Sequence, residues 1–200
     1  MDNYQHVKLF YKSRYHSFGN SVQSLGWSSS KEQLIRFEAL TKDFDKQLLK
    51  KESIVDFGCG LAHFLTWLQE KGFSNDYTGV DIIEEFLEQN RFRFPKNQFL
   101  TSHNFLNNQK KYGFIFASGA FTIPWGDNHV KKIKSAIKEL FNKCNFGFSF
   151  NMLSVSSIFK NPRYYYFDPL DVSEYCAALT SKHVLDCSYL PGDFTIRMWK

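Results

Sequence analysis

The 200 residues contain no apolar run near the ~20 positions that a helix needs to cross a bilayer. The opening Met1-Asp2-Asn3-Tyr4-Gln5 is polar and acidic, so it lacks the apolar core of a signal peptide. The chain has 4 cysteines, Cys59, Cys144, Cys176 and Cys187. No pair has C-x-x-C spacing, which argues against a structural zinc site, and no other cluster of ligating residues suggests a metal. These absences predict a reduced, cytoplasmic, soluble protein with free thiols and no membrane partner. There is also no internal repeat, low-complexity tract or linker. The length suits one α/β domain and leaves little room for a separate substrate domain.

Hydrophobic residues make up 43% of the chain and 22 are phenylalanine, enough for a substantial core. Most of those rings are expected in the core. The net charge is +5. The densest basic run, Lys131, Lys132, Lys134 and Lys138, shares a stretch with Ile133, Ala136, Ile137 and Leu140 at helical spacing. It reads as the solvated face of an amphipathic helix rather than a nucleic-acid patch.

Along the chain, Tyr4 to Phe18 reads as a short helix broken by Gly19 and Asn20. Ser30 is a candidate N-cap with Gln33 completing a capping box. Leu34, Ile35, Phe37, Leu40, Phe44 and Leu48 then form the apolar stripe of one long helix to about Lys50. From residue 53 the pattern alternates. Short strands are expected at Ser53–Phe57, Tyr77–Asp81, Gln98–Thr101, Phe114–Ala117 and Phe146–Phe150, with helices between several of them. This alternation marks a parallel sheet covered on both faces. The end differs: Val184–Tyr189 and Phe194–Trp199 are joined by Leu190-Pro191-Gly192-Asp193, so they must run antiparallel.

In such sheets a ligand lies beyond the carboxyl ends of the strands, which directs attention to Val55-Asp56-Phe57-Gly58-Cys59-Gly60. Two glycines allow a tight turn and close approach of a ligand. Asp81 ends the next strand about 20 residues later, the spacing of an acid that holds a ribose. A dinucleotide site would carry a third glycine where His63 stands, and would place a pyrophosphate at the helix start. Asp56 would repel phosphate and suit an ammonium group. S-adenosylmethionine has an amino acid moiety, a sulfonium and no phosphate, and is therefore favoured over a nicotinamide cofactor.

Residues 55–60 resemble motif I of the class I S-adenosylmethionine-dependent methyltransferases, and Tyr77-Thr78-Gly79-Val80-Asp81-Ile82 resembles motif II. The resemblance covers roughly residues 31–200. It implies a Rossmann-like α/β fold: a mostly parallel seven-stranded sheet with an antiparallel C-terminal hairpin and helices on both faces. Residues 1–50 would form a helical lid integral to the domain, and 51–200 the cofactor-binding core. By that resemblance Asp56, Gly58 and Gly60, with Cys59 between the glycines, flank the methionine part. Asp81 takes the ribose hydroxyls and Ile82 packs on the adenine. Asn104 and Phe105 follow the third strand where the adenine is bound, although Asn104 also reads as a loop cap. Ser118 lies in the motif IV segment that faces cofactor and substrate. Gly113 departs from the pattern, standing where the family often has Asp. The segment 117–125 is not the Asp/Asn-Pro-Pro-aromatic signature of nucleobase-amine methylation.

On the substrate side, Tyr11, Trp27, Arg36 and Phe121 are expected at the lid or acceptor. Arg36 could meet the cofactor carboxylate or pair with Glu32 or Glu38. The aromatic run Tyr164 to Phe167 is expected at the pocket mouth. Candidates for a catalytic base are His129 and Tyr164, with His103 and Asp168 beside them. Phe18-Gly19-Asn20-Ser21, Leu25-Gly26-Trp27 and Gln33 to Phe37 are similar to small bacterial methyltransferases, some of whose relatives modify sugars or other metabolites of surface-polysaccharide pathways. The expected activity is in-line methyl transfer from S-adenosylmethionine to a small molecule, leaving S-adenosylhomocysteine. The alternatives are a nucleic-acid or protein methyltransferase, and a non-catalytic cofactor-binding domain.

Overall fold

A computed structural model describes residues 4–27, 29–73 and 76–200. Met1, Asp2, Asn3 and Ser28, all within the expected lid, lie outside the described residues. Seven strands form one sheet in the order β3-β2-β1-β4-β5-β7-β6. They are β1 (Ile54–Phe57), β2 (Tyr77–Asp81), β3 (Gln98–Thr101), β4 (Tyr112–Ala117), β5 (Cys144–Leu153), β6 (His183–Asp186) and β7 (Asp193–Trp199). The first five pair in parallel, and β7 enters antiparallel between β5 and β6. The strand order reverses at β1, which has β2 on one side and β4 on the other, so a crevice opens beyond the carboxyl ends there.

The helices are α1 (Gln5–Phe18), α2 (Ser30–Thr41), α3 (Lys46–Lys51), α4 (His63–Glu70), α5 (Glu84–Arg93), α6 (Ser102–Asn107), α7 (His129–Lys143) and α8 (Pro169–Ala177). Among the described residues, none is long and apolar enough to cross a membrane. Alternation along the strands divides the core. Phe114 and Phe116 of β4 meet Phe37 and Leu40 of α2, Leu49 of α3 and Phe64 of α4. Ile115 and Ala117 face Ile133, Ile137 and Leu140 of α7 with Val172 and Cys176 of α8. The period-two switch of side chains sends neighbouring residues to opposite layers.

Several boundaries differ from the expectation. The long helix after residue 30 is two helices, because Asp43 adopts φ 67° and Asp45 caps a new start by accepting from Leu48 N–H at 2.8 Å. Ser29, rather than Ser30, caps α2, accepting from Lys31 N–H. Gln33 makes no capping box; its Oε1 lies 3.2 Å from His63 Nδ1. α2 and α3 belong to the layer under the sheet; among the described residues of the 1–50 range, those that line the cavity are Tyr4, Val7, Lys8, Tyr11, Leu25 and Trp27. Strand β6 ends at Asp186, so six residues, Cys187 to Gly192, replace the expected tight turn.

Candidate functional site

A cavity of about 650 Å³ opens at the carboxyl ends of β1, β2 and β4. That lies within the ~300–1,000 Å³ usual for small-molecule sites. Its floor is Phe57, Gly58 and Gly60 after β1, Asp81 and Ile82 after β2, Thr101, Ser102 and His103 after β3, and Ser118 and Gly119 after β4. Leu106, Ala136, Leu140 and Trp125 close one end. Tyr4, Val7, Lys8 and Tyr11 present one face of α1 over it, joined by Leu25 and Trp27.

The first turn has the tightness that its glycines allow. Gly58 and Gly60 have φ of 80° and 50°, and a Cβ would lie 2.7 Å from Ala120 Cβ and 2.6 Å from Leu25 Cδ2 respectively. Four of the turn's N–H groups are occupied within the protein. Gly58 and Cys59 donate to Val80 O (2.7 and 3.0 Å), Ala62 donates to Cys59 O (2.8 Å), and Gly60 donates to Asp81 Oδ2 (2.8 Å). Asp81 Oδ1 accepts from Ile82 and Ile83 N–H at 2.7 and 2.9 Å. One carboxylate thus ties the β1 and β2 turns together. Burial raises its pKa, against the lowering effect of these three amides.

Asp56 stands apart from that arrangement. It is 2% exposed and faces away from the cavity lining, accepting from the Tyr77 hydroxyl at 2.7 Å. Burial pushes its carboxyl up to about 7, opposed by the Tyr77 bond and reinforced by Asp81. Cys59 also points behind the turn. Asn90 Nδ2 lies 3.9 Å from its sulfur and donates to Gly60 O at 2.7 Å, and burial holds the thiol well above its ordinary range.

The structure brings Gly58, Gly60, Asp81, Ile82, Ser118, Tyr11 and Trp27 to one cavity, with His103 at its edge. The phenol of Tyr11 is pushed up by burial, by Asp81 and by Tyr164. Other expected residues lie elsewhere. Asn104 is exposed on α6, its N–H donating to Thr101 Oγ1 at 3.2 Å; Thr101, rather than Asn104, is the cap. Phe105 and Phe121 are fully buried in the core beneath the lining. Arg36 pairs with Glu32 at 3.6 Å, one of the two partners expected for it, and also reaches Asp193 and the Trp27 ring; it does not line the cavity. Tyr164 touches Gly26, its hydroxyl 3.5 Å from the carbonyl.

His129 is not placed as a base. Its Nδ1 accepts from Trp125 N–H at 3.0 Å, and it packs on Tyr165 at 4.6 Å and Phe167 at 5.6 Å. Burial lowers its pKa to about 4. Those two aromatics therefore pack around a histidine rather than form a pocket mouth. Asp168 caps α8 through Leu170 N–H at 2.8 Å. Gly113 is required by packing, since a Cβ would lie 2.5 Å from Glu52 Cβ and 2.9 Å from Ser53 O.

Tyr4, Val7, Lys8, Ser102 and Trp125 were not singled out from the sequence as lining residues. For α1 the signal is there: Tyr4, Val7, Lys8 and Tyr11 recur at i, i+3, i+4 and i+7, one helical face.

A family profile described as a methyltransferase domain matches residues 32–145. A protein of Mycobacterium tuberculosis named as a methyltransferase, Rv1506c, is 30% identical over 154 residues, covering 74% of this chain and 93% of that protein. Among solved structures, the plantazolicin methyltransferase BpumL, in complex with a triazolic desmethylPZN analogue and S-adenosylhomocysteine, superposes with a TM-score of 0.73 at 14% identity, over 97% of this chain and 94% of its own. The magnesium protoporphyrin IX methyltransferase of Synechocystis PCC 6803, with S-adenosylmethionine bound, gives a TM-score of 0.66 at 10% identity, over 100% and 98%. At such identities the structural likeness shows a shared fold.

Proposed function

The chain belongs to the methyltransferase-domain family of class I, S-adenosylmethionine-dependent enzymes, and from that premise we propose that it methylates a small-molecule acceptor inside the cavity beneath α1. The observation that carries this reading is the occupancy of the first turn. Its N–H groups at Gly58, Cys59, Gly60 and Ala62 are bonded within the protein, and the lining carboxylates are Asp81 and Glu84. A pyrophosphate needs free turn N–H groups. A ligand with a cationic centre and a ribose suits this lining.

When bound, S-adenosylmethionine supplies a methyl group already activated on a sulfonium. The protein's share is then alignment and exclusion of water. In this reading Asp81 holds the ribose, with Ile82 beside the adenine. Ser102 and His103 take the adenine-side positions expected of Asn104 and Phe105. Asp56 acts from behind the turn through Tyr77 rather than by contact. Residues 4–27 act as the lid, with Tyr11 and Trp27 facing the acceptor.

The α7 residues in the lining are Ala136 and Leu140, whereas Lys131 and Lys138 point elsewhere. This supports a small acceptor over a polymer drawn in along a basic track. Metabolites of surface-polysaccharide pathways are the first acceptor class to screen, using methyl-labelled cofactor.

Calorimetry with S-adenosylhomocysteine tests the cofactor assignment, and absence of binding to the wild-type protein would sink it. Asp81→Asn preserves the side-chain shape but loses the charge and the Gly60 contact. It should weaken binding by roughly 1.5–3 kcal/mol, the magnitude of a lost charged hydrogen bond.

A further inference from the structure

The segment 22–27 is seated on the cavity wall at two glycines, Gly60 and Gly119, and carries a third, Gly26, that faces Tyr164. A Cβ on Gly60 would lie 2.6 Å from Leu25, one on Gly26 3.2 Å from the Tyr164 hydroxyl, and one on Gly119 2.6 Å from Trp27 Cζ2. The seats at Gly60 and Gly119 admit contact only because the glycine has no side chain. Trp27 is also held from outside the cavity. The Arg36 guanidinium lies 4.5 Å from its ring centroid, and Arg36 Nη2 lies 2.5 Å from Asp193 at the start of β7. Arg36 and Asp193 are both buried. Gly119 is held from the opposite strand: its N–H donates to Asn151 Oδ1 at 2.8 Å, and Asn151 Nδ2 donates to Ser118 Oγ at 3.4 Å. Asn151 is 3% exposed on β5.

We propose that Arg36 and Asn151 are positioning residues of the methyl-transfer site, clamping Trp27 against Gly119 and so fixing the width of the one cavity that holds both cofactor and acceptor. Burying an arginine and an aspartate together costs desolvation that an apolar pair would avoid. The guanidinium offers in return a flat, charged surface that stacks on an indole while its edge bonds a carboxylate. A lysine can pair with Asp193 but has no such plane. The clamp joins the C-terminal strand, the N-terminal segment and the β4 turn at a single ring. It rests on the reading of the cavity as the methyl-transfer site.

Two readouts test it in the full chain. Acrylamide quenching of Trp27 is isolated by subtracting the signal of the Trp27→Phe protein, and calorimetry gives the affinity for S-adenosylhomocysteine. Quenching of Trp27 should rise in Arg36→Lys, Arg36→Met and Asn151→Ala alike. The affinity should fall in each, by about three- to tenfold in the Arg36 variants, the range to which a lost cation–π contact converts. Arg36→Lys keeps the charge and serves as the decisive variant if Arg36→Met does not fold. If Arg36→Lys quenches like the wild type, or if quenching rises with unchanged affinity, the clamp is overturned. Failure of the wild type to bind S-adenosylhomocysteine removes the methyl-transfer reading instead, a different result from either of these.

Discussion

Asp56 combines two facts that pull against each other: it is the last residue but one of the strand leading into the site, and burial favours its neutral form. Its carboxyl is held up to about 7, whereas an unfolded Asp titrates near 3.9. Between those values the folded protein binds the extra proton. Stability from this group is therefore fully present at acid pH and falls as pH rises from about 4 to about 7, by about 1.4 kcal/mol per unit. Asp56→Asn removes that slope. Urea denaturation at pH 5 and pH 8 should show the variant gaining on the wild type as pH rises, and parallel curves would contradict the assignment. Gly58, Gly60 and Asp81 were legible because one turn and one spacing encode them. The Arg36–Glu32 pair was legible too, as neighbours one helical turn apart, but the Asp193 contact of Arg36 and the role of His129 were not, because those partners are remote or set by packing. Asp193 enters from the last strand, and Trp125 presents its N–H only after the β4 loop has folded back.

Elements were legible where a single pattern governed them and illegible where two overlapped. The parallel strands announced themselves as short apolar runs. The break between α2 and α3 did not, since Phe44 and Leu48 continue the apolar stripe across it. The stop lies in Asp43, whose left-handed backbone carries no hydrophobic signal. Helix α8 went unrecognised although Asp168-Pro169 is a regular start, an Asp cap followed by proline in the first turn. The adjoining aromatics had suggested a pocket instead. Strand β7 shows how such elements are locked. Arg197 on it is 1% exposed, donates to Ala39 O at 2.8 Å, and pairs with Asp186 at 3.2 Å and Asp43 at 2.9 Å. It thereby fastens the end of α2 and its following loop to the sheet edge. Arg197→Met leaves Asp186 buried with Lys42 as its one charge partner among the described residues. The expected loss is about 3–5 kcal/mol, measured by denaturant unfolding. A loss under ~1 kcal/mol would mean that the lysine suffices.

Across the whole molecule, stability is distributed unevenly, and the distribution matches the proposed function. The sheet and its two helical layers hold nearly all of the buried apolar side chains, whereas α1 buries only Val7. That helix is held at its edges: His6 Nε2 lies 2.6 Å from Pro124 O, Lys12 pairs with Glu85 at 2.5 Å, and Tyr4 and Tyr15 meet Trp125 and Phe86 edge-on at 5.5 and 5.4 Å. Exposed ion pairs of this kind contribute at most about 1 kcal/mol each. Segments so lightly fastened open far more readily than the core. If opening α1 also destroys the site, a bound ligand must stabilise the closed form. At a hundred times its dissociation constant that amounts to about 2.7 kcal/mol, or roughly a hundredfold slowing of opening-limited exchange. Hydrogen exchange should therefore show residues 5–18 exchanging quickly in the free protein and up to about a hundredfold more slowly with S-adenosylhomocysteine, with α8 unchanged. Exchange in 5–18 that stays fast while calorimetry reports saturation would show that α1 rests on the cavity without closing it.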